Sequence, residues 1–220
     1  MEPRTLDHVA FWVSERESIV HFLEQHLGMH VIAQEENFTL MGADARRGKL
    51  TLFDAEGPRS PGVFEHVALR VSDLETARAA LPGGASEIFD VGDGLRITLV
   101  EAPTDVDYDL DHVALYATDP EATVAAYERY GFARVGPTSV EVGGAFIQLD
   151  PGDPGTTERP LLNHLAVLVD SADEHVAEAK ELGIEVESIV DAANTYAAFL
   201  RGPDGVRIEY VEHKPSFSLT

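Results

Sequence analysis

Four histidines occupy the same place in four related segments: "LDHVAFWV" (6–13), "FEHVALRV" (64–71), "LDHVALYA" (110–117) and "LNHLAVLV" (162–169). Each segment reads as a strand that sets its imidazole at one depth and on one face. A single histidine on an apolar strand is ordinarily a satisfied core residue, but recurrence at one position asks for a common cause, and imidazole nitrogen is a common metal ligand. A metal site of this kind also needs a carboxylate. Aligned on the glycine that precedes the last strand of each repeat, Glu209 lies four residues after Gly205, Gln148 four after Gly144 and Thr98 four after Gly94, while "GKLTLF" offers Thr51 or Leu52. Glu209 is flanked by Ile208 and Tyr210, and an acid in such a strand is costly to bury unless paired or metal-bound. His112, His164 and Glu209 therefore form the expected ligand set, with Gln148 as a fourth ligand or a supporting donor. Two histidines and one carboxylate with open positions suit non-haem Fe(II); a filled four-ligand set also suits Zn, Ni or Co. His8 and His66, whose repeats lack an acid, are expected to be packing relics that affect stability only.

The elements around the histidines repeat as well. Ser14 with Glu17, Ser72 with Glu75, Thr118 with Glu121 and Ser171 with Glu174 fit the S/T-x-x-E box that opens a helix. Amphipathic stretches such as "ESIVHFLEQHLG" and "DEHVAEAKELG" follow, and then short strand-like runs such as "HVIAQ", "FTLM" and "KLTLF". The repeat is thus strand, helix and about three strands. One copy cannot bury both faces of its sheet, so copies must pair, most simply in sequence order. The expected fold is α+β, with four βαβββ modules paired into two cup-shaped, barrel-like sheets and the helices outside. Residues 1–105 would form an N-terminal pair without a complete metal site, and 106–220 a C-terminal pair that carries it. "EAPTDVDYD" (101–109) is the expected seam, and "DPGDPGTTERP" (150–160) an exposed loop.

Composition narrows the classes further. With 220 residues, 44% of them hydrophobic, the chain can form one large or two small globular domains. It has no apolar run of membrane-spanning length and no secretory leader pattern, so the expected location is the cytoplasm. The absence of cysteine removes disulfides and thiolate ligands. Thirty-nine acidic against 16 basic residues give a net charge of −23, which would repel nucleic acid. The acids are spread along the chain, and such self-repulsion is best tolerated where salt screens it, so a high-salt cytoplasm is expected.

Together these motifs resemble the vicinal oxygen chelate superfamily, which includes glyoxalase I, bleomycin resistance proteins, methylmalonyl-CoA epimerases and type I extradiol dioxygenases. The likeness spans essentially the whole chain and includes "FLRGPDGVRIEYVE" (199–212), which looks like the family's final hairpin with its metal-binding glutamate. The resemblance implies a divalent metal and a small-molecule substrate that chelates it through vicinal oxygens. Four modules with one complete set are closest in layout to extradiol dioxygenases, implying Fe(II) at His112, His164 and Glu209, a catechol and O2. The pattern departs from that branch at "ESIVDAAN" (187–194), which has no histidine, and at Phe199, which stands where a tyrosine is expected. Tyr196, Asn194 and His213 are the candidate substitutes. Through Gln148 the chain also resembles glyoxalase- and epimerase-type isomerases, for which Mn, Zn, Ni or Co would serve, and a third reading is a bleomycin-resistance-like binding protein without turnover. Homo-oligomers are a further expectation, and neither nucleic acid nor a membrane is an expected partner.

Overall fold

The computed structural model describes residues 1–83, 87–155 and 158–217. The first unit runs β1 (Thr5–Val13), α1 (Arg16–Leu27), β2 (His30–Gln34), β3 (Phe38–Gly42) and β4 (Lys49–Asp54). In the second, β5 (Phe64–Val71), α2 (Leu74–Ala79), β6 (Ile88–Asp90) and β7 (Arg96–Glu101) make a unit with one strand fewer among the described residues. The third comprises β8 (Asp109–Ala117), α3 (Pro120–Glu128), β9 (Ala133–Arg134), β10 (Ser139–Val142) and β11 (Ala145–Pro151). The fourth comprises β12 (Leu162–Leu168), α4 (Ala172–Glu181), β13 (Val186–Asp191), β14 (Thr195–Arg201) and β15 (Arg207–His213).

Local chemistry accounts for the helix ends, with corrections to the expected caps. Ser171 caps α4 as expected, accepting from the Glu174 amide. Asp73 and Asp119 cap α2 and α3 through the amides of Thr76 and Ala122, one residue beyond Ser72 and Thr118. A carboxylate at the N-terminus gains from the helix dipole where a hydroxyl does not. Helix α1 has no side-chain cap of its own; the Ser14 and Glu15 amides donate to Asp93 of the second unit instead. Its Ile19, Leu23 and Leu27, one turn apart, form the buried stripe.

The pairing of units differs from the sequence-order expectation. One sheet has the order β13-β14-β15-β12-β1-β4-β3-β2 and joins the fourth unit to the first. The other, β6-β7-β5-β8-β11-β10-β9, joins the second to the third. Both open sheets are cup-like, and in each the central pair is two histidine strands running antiparallel, β1 with β12 and β5 with β8. Residues 102–108, expected to be a seam, are instead the shortest connection between units and lie within one sheet, leading from β7 to β8 past β5. The other two connections cross between the sheets and bind each other: the Ser60 amide donates to the Arg159 carbonyl at 3.2 Å and the Leu161 amide to the Ser60 carbonyl at 2.6 Å. Of the stretch 150–160, the described residues are exposed or half-buried, as expected, and 156–157 lie outside the described residues.

Sequence neighbours do touch, but through their outer faces. His26 Nδ1 on α1 donates to the Ala80 carbonyl at 2.9 Å, and Phe22 packs on Phe89 of the second unit. Tyr130 Oη of the third unit donates to the Arg201 carbonyl of the fourth at 2.6 Å. A βαβββ unit has two surfaces to cover, the edge of its histidine strand and its helix-bearing outer face. Here different neighbours cover them. The apolar core runs continuously through both sheets, with Phe11 edge-on to Phe64 at 5.0 Å.

Candidate metal centre

Each histidine is positioned by a β-bulge. In the β1/β12 ladder Leu6 faces Val167 and His8 faces Ala166, which leaves Asp7 unpaired; Ala10 faces His164 and Phe11 faces Leu162, which leaves out Asn163. Glu65 and Asp111 are skipped in the same way in the β5/β8 ladder. A bulge turns the extra side chain out of strict alternation, and bulges concentrate beside active sites. The consequence is that the residue before the histidine reaches that histidine's own ring. His8 Nδ1 donates to Asp7 Oδ2 at 2.8 Å, His112 Nδ1 to Asp111 Oδ1 at 2.7 Å and His164 Nδ1 to Asn163 Oδ1 at 3.1 Å. Glu65, one methylene longer, makes no such bond, and His66 Nδ1 is buried without a hydrogen-bond partner.

The first and fourth units bring His8, His164 and Glu209 together. His8 Nε2 lies 3.1 Å from His164 Nε2, and Glu209 Oε2 lies 2.9 Å from His164 Nε2 and 3.3 Å from His8 Nε2. His164 and Glu209 are buried, while His8 is half-buried. The tautomers follow from the partners behind the rings. Arg207 Nη1 donates to Asn163 Oδ1 at 3.1 Å, which fixes that atom as the acceptor and His164 Nδ1 as the donor; the Asp7 carboxylate does the same for His8. In their neutral forms both Nε2 atoms then present lone pairs to each other and to a carboxylate. Such a convergence requires a cation between the three atoms.

In the metal-free protein a proton takes that role. Burial pulls the His8 imidazole down, but hydrogen bonds to Asp7 and Glu209 outweigh it and raise its pKa to about 9. Burial also lowers His164, against the pull of Glu209. Burial would raise Glu209, yet His164 and His8 hold it well below the usual carboxylate range. A divalent ion fits the same place. Ligand atoms on an ion with bonds of about 2.0–2.1 Å lie about 2.9–3.4 Å apart in octahedral or tetrahedral arrangements, and the three separations here fall in that range. Thr51, on β4 beside β1, adds a buried hydroxyl with no hydrogen-bond partner.

Behind His8, Asp7 is the centre of a buried network. Both its oxygens accept from Lys49 Nζ, at 2.9 and 2.8 Å, and His213 Nε2 lies 3.2 Å from Oδ1. Burial works against the Asp7 carboxylate, but His213, His8 and Lys49 together hold it well below its ordinary pKa. Aromatic rings stand around the triad. Phe199 and Phe53 lie 5.2 and 6.1 Å from the His164 ring, Trp12 packs on Phe53, and Arg207 covers Phe199 at 4.5 Å.

Of the expected ligands, the structure therefore unites His164 and Glu209 but replaces His112 with His8. His112 lies in the other sheet, its Nε2 3.3 Å from His66 Nε2. Gln148 is there too, donating to Thr138 Oγ1 at 3.2 Å and Asp150 Oδ1 at 3.3 Å, and it lines with His112 a cavity of about 300 Å³. The reason is the pairing of units: ligands from the third and fourth repeats meet only if those repeats share a sheet. His8 is correspondingly no isolated relic. Of the candidates for proton transfer, Tyr196 donates to Asp173 on α4 and is exposed at that bond, and Asn194 lies in the exposed β13–β14 turn. His213 reaches the centre only through Asp7. The residue before each histidine, Asp, Glu, Asp and Asn in order, marks the bulged positions but does not separate His8 from His112, since both stand in the same LDHVA context.

The model of the Glyoxalase/Bleomycin resistance protein/Dioxygenase superfamily matches residues 5–105 and again 109–210. No curated protein sequence matches. Among solved structures, one described as a "putative dioxygenase" from Bacillus subtilis superposes with a TM-score of 0.79 at 16% identity, covering 98% of this chain and 87% of that one. Glyoxalase I from Zea mays gives 0.71 at 15% identity, with 94% and 92% covered. The cppA protein from Streptococcus pneumoniae gives 0.62 at 15% identity, with 96% and 98% covered. At these identities the likeness is one of fold. The two family matches span nearly the whole chain, and the protein belongs to the glyoxalase, bleomycin resistance and dioxygenase superfamily, the vicinal oxygen chelate proteins.

Proposed function

We propose that this protein is a divalent-metal enzyme that chelates a small molecule through two neighbouring oxygens, and that its reaction is ring opening of a catechol-type substrate by O2 with Fe(II) as the ion. The observation that supports this reading best is the ligand set: two histidines and one carboxylate, with no fourth protein ligand at Thr51, leave positions for exogenous oxygens. His8, His164 and Glu209 would hold the ion; Asp7 and Asn163 fix the ring orientations by keeping the Nδ1 protons. Bound there, Fe(II) supplies Lewis acidity and a template on which substrate and O2 meet. Phe53, Phe199 and Trp12 offer aromatic faces against which a flat ring can pack.

The isomerase reading rested on Gln148 as a ligand, and with Gln148 in the other sheet it has no observation of its own. The test is to reconstitute the protein anaerobically with Fe(II), add a panel of catechols, and follow oxygen uptake with the absorbance of a ring-fission product. Oxygen consumed one to one with catechol supports the proposal. Proton exchange at a substrate carbon without oxygen uptake would refute it in favour of isomerase chemistry, and tight ligand binding by metal-free protein would make the chain a binder. The protein would work as a water-soluble small-molecule enzyme in a high-salt cytoplasm, a reading that rests on the charge of −23 and on the absence, among the described residues, of any helix able to cross a membrane.

A further inference from the structure

The sheet that carries the metal centre reads the same from either end. About the central β12/β1 pair, β15 corresponds to β4 and β14 to β3. The register obeys the same symmetry. His8 faces Ala166 and His164 faces Ala10 across the antiparallel pair; Glu209 on β15 then faces Ala166, and Thr51 on β4 faces Ala10, each along a parallel ladder. Thr51 thus stands in relation to His8 as Glu209 stands to His164. The face agrees as well. Its neighbours on the same side of β4 are Lys49, which binds the carboxylate behind His8, and Phe53, which lies 6.1 Å from the His164 ring.

At this position a glutamate would complete a four-ligand site, but a threonine hydroxyl stops two covalent bonds short of where a glutamate oxygen reaches. Thr51 is nevertheless only 4% exposed, and its Oγ1 has no hydrogen-bond partner. A buried hydroxyl without a partner carries an uncompensated desolvation cost, and its strand neighbours here are apolar: Leu50, Leu52, Leu40 across the ladder and Ala10. By the register symmetry, Thr51 occupies the position on the His8 side of the site that Glu209 occupies on the His164 side.

Resting on the metal reading above, we infer that Thr51 is a specificity-determining residue: it vacates the fourth protein-ligand position, and its hydroxyl hydrogen-bonds an exogenous oxygen on the metal. A ligand oxygen on that side would be preferred over nitrogen or sulfur donors that accept hydrogen bonds poorly, and the second oxygen of a chelating pair would occupy a remaining position.

The experiment uses Co(II), whose visible spectrum reports coordination, and acetohydroxamate as a two-oxygen probe, with the unaltered protein and its Thr51→Val, Thr51→Ser and Thr51→Glu variants. Thr51→Val, nearly isosteric, is expected to bind Co(II) within about twofold of the unaltered protein but acetohydroxamate about tenfold more weakly, the size of one buried hydrogen bond. Thr51→Ser is expected to retain probe binding. Thr51→Glu is expected to bind Co(II) at least about tenfold more tightly, with a changed spectrum and weakened probe binding. Unchanged probe affinity in Thr51→Val, or unchanged Co(II) affinity and spectrum in Thr51→Glu, would overturn the inference while leaving the metal centre intact. Failure of the unaltered protein to take up Co(II) would overturn both.

Discussion

His8 and His164 are 156 residues apart in the chain, yet their Nε2 atoms face each other at 3.1 Å, each ring held from behind by the residue that precedes it. Two nitrogen lone pairs at that distance repel unless a proton or a metal ion lies between them, so each ring depends on what occupies that place.

Replacing either ring should abolish the site. His8→Ala is expected to lower the affinity for Fe(II) or Co(II) by at least about 100-fold, as are His164→Ala and Glu209→Ala. His112→Ala should leave the metal content unchanged, since His112 belongs to the other sheet. Elemental analysis of protein prepared anaerobically measures this, and iron lost from His112→Ala but retained by His8→Ala would rule the first-and-fourth-unit site out.

The site should exchange a proton for its ion. His8 titrates near 6.5 in the unfolded chain and near 9 in the folded metal-free protein. The folded state binds the proton more tightly, so this group's contribution to stability is complete below pH 6.5 and is lost as the pH rises through 9. Metal-free protein should therefore show a Tm that falls between those values, and His8→Gln should flatten the fall. Because the ion displaces the Nε2 proton, metal affinity should rise about tenfold per pH unit up to about 9. Calorimetry in buffers of different ionisation enthalpy counts the released proton.

The other histidine pair should respond to acid. Burial, with help from the charges of His112 and Arg96, lowers His66 to about 4 from 6.5. Its folded pKa lies below its unfolded value, so the unfolded chain takes up the proton first, and the contribution of neutral His66 is present above pH 6.5 and lost as the pH falls toward 4. His66→Gln should lessen the acid-induced decline in Tm over that window.

Lys49 is 1% exposed and binds both oxygens of Asp7. Asp7→Ala would leave that ammonium buried and unpaired, and it is expected to destabilise the protein by about 3–5 kcal/mol. Lys49→Met leaves Asp7 with His8 and His213, and the loss should be smaller. Urea unfolding of the two variants gives the comparison.

A net charge of −23 should make stability depend on salt. The Tm is expected to rise by about 10 °C or more between roughly 0.1 and 2 M KCl, as screening relieves repulsion. A Tm flat across that range would remove the case for a high-salt setting.

Much of this architecture was legible in the sequence. The repeated histidine segments, the helix signals after them and the acid in "VRIEYVE" specify four βαβββ-type units and two of the three atoms of the centre, because strand periodicity and the cost of a buried carboxylate are local properties. The identity of the residue before each histidine was also in view, but its role depends on bulges that exist only once two strands are paired. What tertiary structure alone decided was which units share a sheet. Each unit offers the same antiparallel edge beside its histidine, so pairing first with fourth and second with third satisfies the same hydrogen bonds as pairing in order. The choice is made by the complete set of contacts between outer faces, from α1 against the second unit to Tyr130 against the fourth, and by the short 102–108 connection. That choice exchanges His112 for His8 and sets Thr51, rather than Gln148, opposite Glu209.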